Sequence, residues 1–221
     1  MAIPDFMTDK NAVLQDDVEW LHGKAPDYSK PNALYEKERS KIHEAGSLEE
    51  LVSNLVKNWE KEASHKTKAE QWRTIDHKVY KFSTNGGPWS TAEDMLKIGT
   101  YNALIGESEF YSASRLGFEE SHNVFRQSLA AGFAWEVLEV YSGPPRVTFK
   151  WRHWGKMIGK LRCPMRNGEA LVAEPTKEVV QIFGVTVATI TDKYQITSLE
   201  TFYDPADLMK QMTKNCPIAK S

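Results

Sequence analysis

His153 ends a row of alternating apolar residues, Val147, Phe149 and Trp151, within the run from Arg146 to Trp154. Successive side chains of an extended chain point to opposite faces, so these four share one side and Arg146, Thr148, Lys150 and Arg152 share the other. An imidazole titrates near pH ~6.5 and is readily tuned by partial burial, which makes His153 the first candidate for general acid or base work. Hydrogen bonding at a pocket rim is the alternative role. Asp204 stands where a β-favouring run meets Pro205. Desolvation beside an apolar pocket raises a carboxyl pKa and suits it to proton shuttling, while the same residue in front of proline is also a natural helix cap. His122, adjacent to Ser121, is the third candidate, as a cavity group or a satisfied core histidine.

Five aromatic residues, Trp151, Phe149, Trp135, Tyr101 and Tyr203, have the types and spacing to line a pocket for a planar apolar molecule or to fill a core. Metal chemistry finds little footing. His65, His77, His122 and His153 are scattered without an HxH or HExxH pattern, and no acidic loop has calcium or magnesium spacing. Asn85-Gly86-Gly87 reads as a turn and not a phosphate cradle, and no GxSxG elbow is present. The expectation is a site without metal or cofactor.

The elements that must hold these residues follow from periodicity. Two runs rich in Val, Phe, Tyr and Trp flank Ser142-Gly143-Pro144-Pro145, which predicts two antiparallel strands within residues 132–159. Glu136 and Glu139 fall on opposite faces of the first, so one of them must turn inward or pair with a cation of the second strand. Upstream, Ser47-Leu48-Glu49-Glu50 has the capping-box pattern, and Leu48, Leu51, Val52, Leu55, Val56 and Trp59 recur at helical spacing to about His65. Val79–Ser83 alternates as a short strand; Ser90-Thr91-Ala92-Glu93 opens a helix running through Ile105; a third helix spans Glu119 to Ala130 and stops at Gly132. After a loop beyond Gly159, residues Val179–Ile190 form a long strand in which Gly184 suggests a bulge or bend. Asp192–Gln195 turns the chain, Ile196–Tyr203 returns, and Asp204-Pro205 starts a terminal helix with Leu208, Met209 and Met212. Helices precede antiparallel strands, so the class is α+β, with helices on one side of a curved sheet.

Composition narrows the partners. The 221 residues carry 28 Lys plus Arg against 30 Asp plus Glu, and no segment gathers the basic density that a phosphate backbone requires, so nucleic acid is not expected. Cys163 and Cys216 are too few for a disulfide framework and fit reduced thiols. With no basic leader followed by an apolar stretch and no run of about 18 apolar residues, the expectation is a cytoplasmic protein without membrane association.

Several segments also carry a family likeness. Pro175-Thr176, the Val185–Ile190 strand, the Asp192-Lys193 turn and Thr201–Met209 resemble the C-terminal half of the SnoaL-like polyketide cyclase family, of nuclear transport factor two-like fold. Gly46–Glu50, Tyr80–Ser83, Ser121-His122, Val140–Pro145 and Arg152–Gly155 resemble the pathogen-related proteins of plants and their fungal relatives, from about residue 20 to about residue 210. The resemblance implies a cone-shaped half-barrel, covered by N-terminal helices, around an apolar pocket, commonly as a homodimer. It divides the chain into an extension at 1–46, a SnoaL-like domain at 47–213 and a tail at 214–221. It points to a cofactor-independent enzyme of secondary metabolism that cyclises, isomerises, dehydrates or hydrates a small polyketide- or terpenoid-like substrate. The other reading is a stress-linked protein that binds a small hydrophobic ligand without turnover. Lys177 stands where the cyclase relatives carry glycine after Pro-Thr.

Overall fold

The structure, a computed structural model, describes residues 2–216; the last five positions of the expected tail, 217–221, lie outside the described residues. In the first half the chain forms α1 (Asp5–Thr8), α2 (Ser29–Glu38), α3 (Leu48–His65), β1 (Lys81–Thr84), α4 (Ala92–Ile98), α5 (Thr100–Ile105) and α6 (Phe118–Ser128). The second half forms β2 (Phe133–Ser142), β3 (Arg146–Lys156), β4 (Leu161–Pro164), β5 (Ala170–Ala173), β6 (Val179–Ile190), β7 (Ile196–Tyr203) and α7 (Pro205–Met212). The class is α+β: a curved five-stranded sheet, ordered β1-β7-β6-β3-β2 and left open at its edges, with helices over its concave face.

Every neighbouring pair in that sheet is antiparallel except β1 with β7, which is parallel. The hairpin of β2 and β3 pairs Phe133 with Gly155 and Trp135 with His153. Glu136 meets Arg152 directly across it at 3.1 Å, and Ser40 also donates to the Glu136 carboxylate. Register shifts at Leu138 and Tyr141 explain why β2 does not keep one apolar side. On β3, Val147, Phe149 and Trp151 are buried on the inner face, as alternation requires.

Three expectations need correction. The helix predicted from Thr91 to Ile105 is two helices, because Gly99 at φ +87° breaks it and forms both the C-cap of α4 and the N-cap of α5. Its cap is Thr91 with Asp94, one residue later than Ser90 with Glu93. Gly184 makes no bulge, since its register with Trp151 and Tyr203 is regular; a Cβ there would sit 2.3 Å from the Trp151 indole. The glycine makes room for that ring. The loop after Gly159 contains the hairpin β4–β5, whose four-residue strands are too short for alternation to be read reliably.

Ser47 caps α3 by accepting from the Glu50 amide, while the Glu50 carboxylate reaches back to the Gly46 amide. The first residues pack along this helix: Phe6, Met7 and Val13 are buried, and Asn58 of α3 donates to the carbonyls of Phe6 and Asp9. Lys66 at the end of α3 is fully buried between Asp16 at 2.6 Å and Glu62 at 2.8 Å. Removing one partner would strand a buried charge, so this network ties the N-terminal segment to the domain. No described helix is long and apolar enough to cross a membrane.

Candidate functional site: a half-barrel cavity

Between the concave sheet and the helices lies a cavity of about 740 Å³. That volume suits a small organic molecule. Its sheet wall consists of Phe133 and Trp135 from β2, Phe149, Trp151 and His153 from β3, Ile182 and Thr186 from β6, and Leu199, Thr201 and Tyr203 from β7. Helices supply Trp59 and Glu60 of α3, Thr100, Tyr101 and Leu104 of α5, and His122, Phe125 and Arg126 of α6. Residues of the N-terminal segment, Tyr28 and Tyr35 among them, complete the enclosure.

The aromatic candidates all border this cavity. Trp151 lies 5.7 Å from the Tyr203 ring, and its indole N–H donates to Thr186 Oγ1 at 2.9 Å, so the polar edge is satisfied and the faces stay apolar. Trp135 meets Phe149 edge-on at 6.2 Å; Tyr101 stacks on Phe125 at 4.5 Å. Tyr203 donates through its hydroxyl to the Leu104 carbonyl, which joins the end of β7 to α5.

His153 stands in the same wall, edge-on to Phe133 with ring centroids 3.5 Å apart, and its nitrogens have no hydrogen-bond partner among the described residues. Loss of hydration, with no compensating charge nearby, lowers its pKa to about 3. The ring is therefore neutral at physiological pH, one nitrogen a donor and the other an acceptor. His122 is buried on α6; its Nδ1–H donates to the Phe118 carbonyl at 2.8 Å, and Nε2 meets Thr100 Oγ1 at 3.0 Å. Burial lowers its pKa as well. Asp204 is exposed, caps α7 by accepting from the Ala206 amide at 2.9 Å, and lies outside the cavity wall. The structure thus gathers His153, His122 and the five aromatic residues around one space and leaves Asp204 at its outside.

Three groups on α3 were not among the sequence candidates. Glu60 faces the cavity, accepts from the Tyr28 hydroxyl at 2.8 Å and lies 3.3 Å from the Ser64 hydroxyl. Its pKa is raised by burial, against the pull of Lys61. Lys57, over the Tyr35 ring at 3.1 Å, is lowered to about 6 by burial, and His65 to about 3 for the same reason. The signal in the sequence is that Val56, Glu60 and Ser64, four residues apart, continue one face of the helix, so its apolar stripe turns polar after Trp59.

Cys163 and Cys216 are buried and unpaired, and the Cys163 thiol is pushed up to about 12 by burial. Among the described residues no three His, Cys, Asp or Glu side chains are placed to hold a metal ion.

No family model matches the chain. Among solved structures it is similar to a protein assigned as a SnoaL-like polyketide cyclase from Jannaschia sp. CCS1, with TM-score 0.42, 16% identity, and coverage of 72% of this chain and 89% of that one. IdmH of Streptomyces antibioticus, assigned as a polyketide cyclase, gives TM-score 0.42 and 10% identity over 72% and 95% of the two chains. A protein with a ketosteroid isomerase-like fold from Catenulispora acidiphila gives TM-score 0.38 and 10% identity over 72% and 91%. In sequence, the pathogen-related protein of Hordeum vulgare is 35% identical over 197 residues, which cover 86% of this chain and 80% of that protein. With four-fifths of the barley protein matched at this identity, the chain belongs to the pathogen-related protein family.

Proposed function

We propose that the protein is a cofactor-independent enzyme acting on a small apolar molecule with one polar group, of polyketide or terpenoid type, by proton transfer inside the half-barrel. The reactions that fit are isomerisation, cyclisation, dehydration and epoxide hydration. One observation carries this reading: a largely apolar cavity of about 740 Å³ holds a neutral imidazole, His153, whose nitrogens are free to meet a ligand. A neutral ring in a water-poor space can donate a hydrogen bond to an oxygen as charge develops on it, without reorganising solvent. The aromatic walls would fix the ligand's plane, so that proximity supplies much of the rate.

The test is α-hydrogen exchange of 2-tetralone, an apolar enolisable ketone, followed by NMR in D2O. The protein is expected to accelerate exchange, and His153→Ala to slow it by a factor of about 100 or more. An unchanged rate in that variant would remove His153 from the mechanism. The second reading is binding without turnover, favoured by one feature: His153 has no carboxylate partner to orient it. Retention of tetralone in native mass spectrometry with no accelerated exchange would select it. The proposal extends to a cytoplasmic homodimer joined through the outer sheet face, where Val179, Phe183 and Phe202 are exposed.

A further inference from the structure

Glu60, Ser64, Thr100 and His122 form an unbroken hydrogen-bonded series beside the cavity. The Glu60 Oε1 to Ser64 Oγ distance is 3.3 Å, Ser64 Oγ to Thr100 Oγ1 is 2.9 Å, and Thr100 Oγ1 to His122 Nε2 is 3.0 Å. Ser64, Thr100 and His122 are all buried, which limits the other partners open to them.

Counting hydrogens leaves little freedom. The Phe118 carbonyl can only accept, so His122 Nδ1 carries a hydrogen. While the ring is neutral, Nε2 must accept from Thr100; Thr100 has no second hydrogen, so Ser64 must donate to it. Ser64 then shows Glu60 only a lone pair, and that junction closes only if Glu60 holds a proton on Oε1. Reversing all three bonds gives the other consistent state, a Glu60 carboxylate with a His122 imidazolium. An ionised Glu60 beside a neutral His122 would set two lone pairs face to face at one junction.

We infer that Glu60 is the proton-exchanging catalytic residue of the cavity and that Ser64, Thr100 and His122 are its proton store, acting on an enolisable apolar carbonyl compound. In the step, the Glu60 O–H bond breaks toward Ser64 as the Ser64 and Thr100 hydroxyl protons each move one place and an N–H bond forms at His122 Nε2. The carboxylate so formed takes a proton from the ligand's α-carbon, whose C–H electrons become the enolate. Return of a proton to carbon and reversal of the series restores the protein, with no co-reactant. His122 has both nitrogens engaged and does not touch the ligand, so it is a positioning residue. The inference rests on the cavity acting as an enzyme site, and adds to His153 the group that moves the proton.

Around Glu60 stand Lys61 on its own helix and the Tyr28 hydroxyl of the N-terminal segment; the charge of Glu60 also acts on the Tyr101 hydroxyl of α5. Around His122 stand Glu119 and Arg126 of α6 and His22 of the N-terminal segment, with His65 of α3 within its electrostatic reach. Burial raises Glu60 and lowers His122, and both shifts act in the direction that moves the shared proton toward the carboxyl.

Two measurements on the full chain separate the parts. First, the Glu60 carboxyl ¹³C and His122 ring ¹⁵N shifts are expected to titrate with shared midpoints, as a coupled pair. Thr100→Val, of nearly the same shape, frees the Ser64 hydrogen for the carboxylate and is expected to lower the Glu60 midpoint by about one unit or more; Ser64→Ala should also separate the two titrations. Independent midpoints in the unaltered protein, or a Glu60 midpoint unmoved by Thr100→Val, would overturn the series whatever tetralone does. Second, Glu60→Gln is expected to slow tetralone exchange by about 100-fold or more, while tetralone still binds in native mass spectrometry. Full exchange in Glu60→Gln overturns the role of Glu60 and leaves that of His153 standing. No exchange by the unaltered protein overturns the enzymatic reading itself, and the coupled titration then stands as a separate result.

Discussion

A histidine in an apolar wall is defined by what it lacks. His153 has neither carboxylate nor carbonyl to receive its N–H, so burial alone sets its protonation and holds it neutral down to about pH 3. The consequence for stability has a definite sign. Unfolded, the ring binds a proton near pH ~6.5, so between that value and about 3 the unfolded state holds more protons than the folded one. The contribution is present above pH ~6.5 and is lost as pH falls; His65, also lowered to about 3, acts in the same direction. Thermal unfolding followed from about pH 7 to about pH 4 should therefore show Tm falling, and His153→Phe should flatten part of that fall. A Tm that fell just as steeply in the variant would show that His153 does not contribute. The pH of catalysis follows the same logic: His153 should give no inflection near pH ~6.5 in tetralone exchange.

At the scale of elements, the cavity exists because strands and helices give up ordinary packing at particular places. On β6 a side chain at position 184 would occupy the space of the Trp151 indole and come within 2.8 Å of the Phe202 carbonyl. Glycine there lets Trp151 lie against the sheet with its N–H on Thr186, whose hydroxyl is 2.8 Å from that of Thr201. Gly184→Ala should thus cost about 1–3 kcal/mol in chemical denaturation and weaken tetralone binding together, because the ring must swing into the cavity. Loss of stability with unaltered binding would show that the sheet yields and not the ring. The second such element is α3, whose face is apolar through Trp59 and polar at Glu60 and Ser64, so one helix is both core and site wall. At α7 the opposite holds: Asp204 in front of Pro205 serves the helix start and not the cavity.

For the molecule as a whole, the inner and outer faces of the sheet ask different things of their environment. The inner face is closed by helices and by the N-terminal segment, which the Lys66, Asp16 and Glu62 network fastens in place. The outer face leaves Phe183 at 49% and Phe202 at 42% exposure, on the adjacent strands β6 and β7. Exposed aromatic residues set together on an outer face in this way fit a second copy of the chain. Sedimentation should report a dimer, and Phe183→Lys with Phe202→Lys should convert it to a monomer; a monomer in the unaltered protein at micromolar concentration would end that proposal.

What could be read from the residues alone was the part governed by short-range periodicity. The β2–β3 hairpin, the inner row of β3, the span of α3, the course of β6 and β7 and the cap at Asp204 follow from alternation, helical spacing and turn chemistry within a few positions. Family motifs added the half-barrel. The tertiary structure alone decided which titratable groups share a space. Glu60 and His122 are 62 positions apart and are joined through Ser64 and through Thr100 at the break after Gly99, and Tyr28 reaches Glu60 from the N-terminal segment. Hydrogen bonds across such separations depend on how the helices dock over the curved sheet. No spacing along the chain encodes that docking, because it is set by the packing of faces and not by any local period.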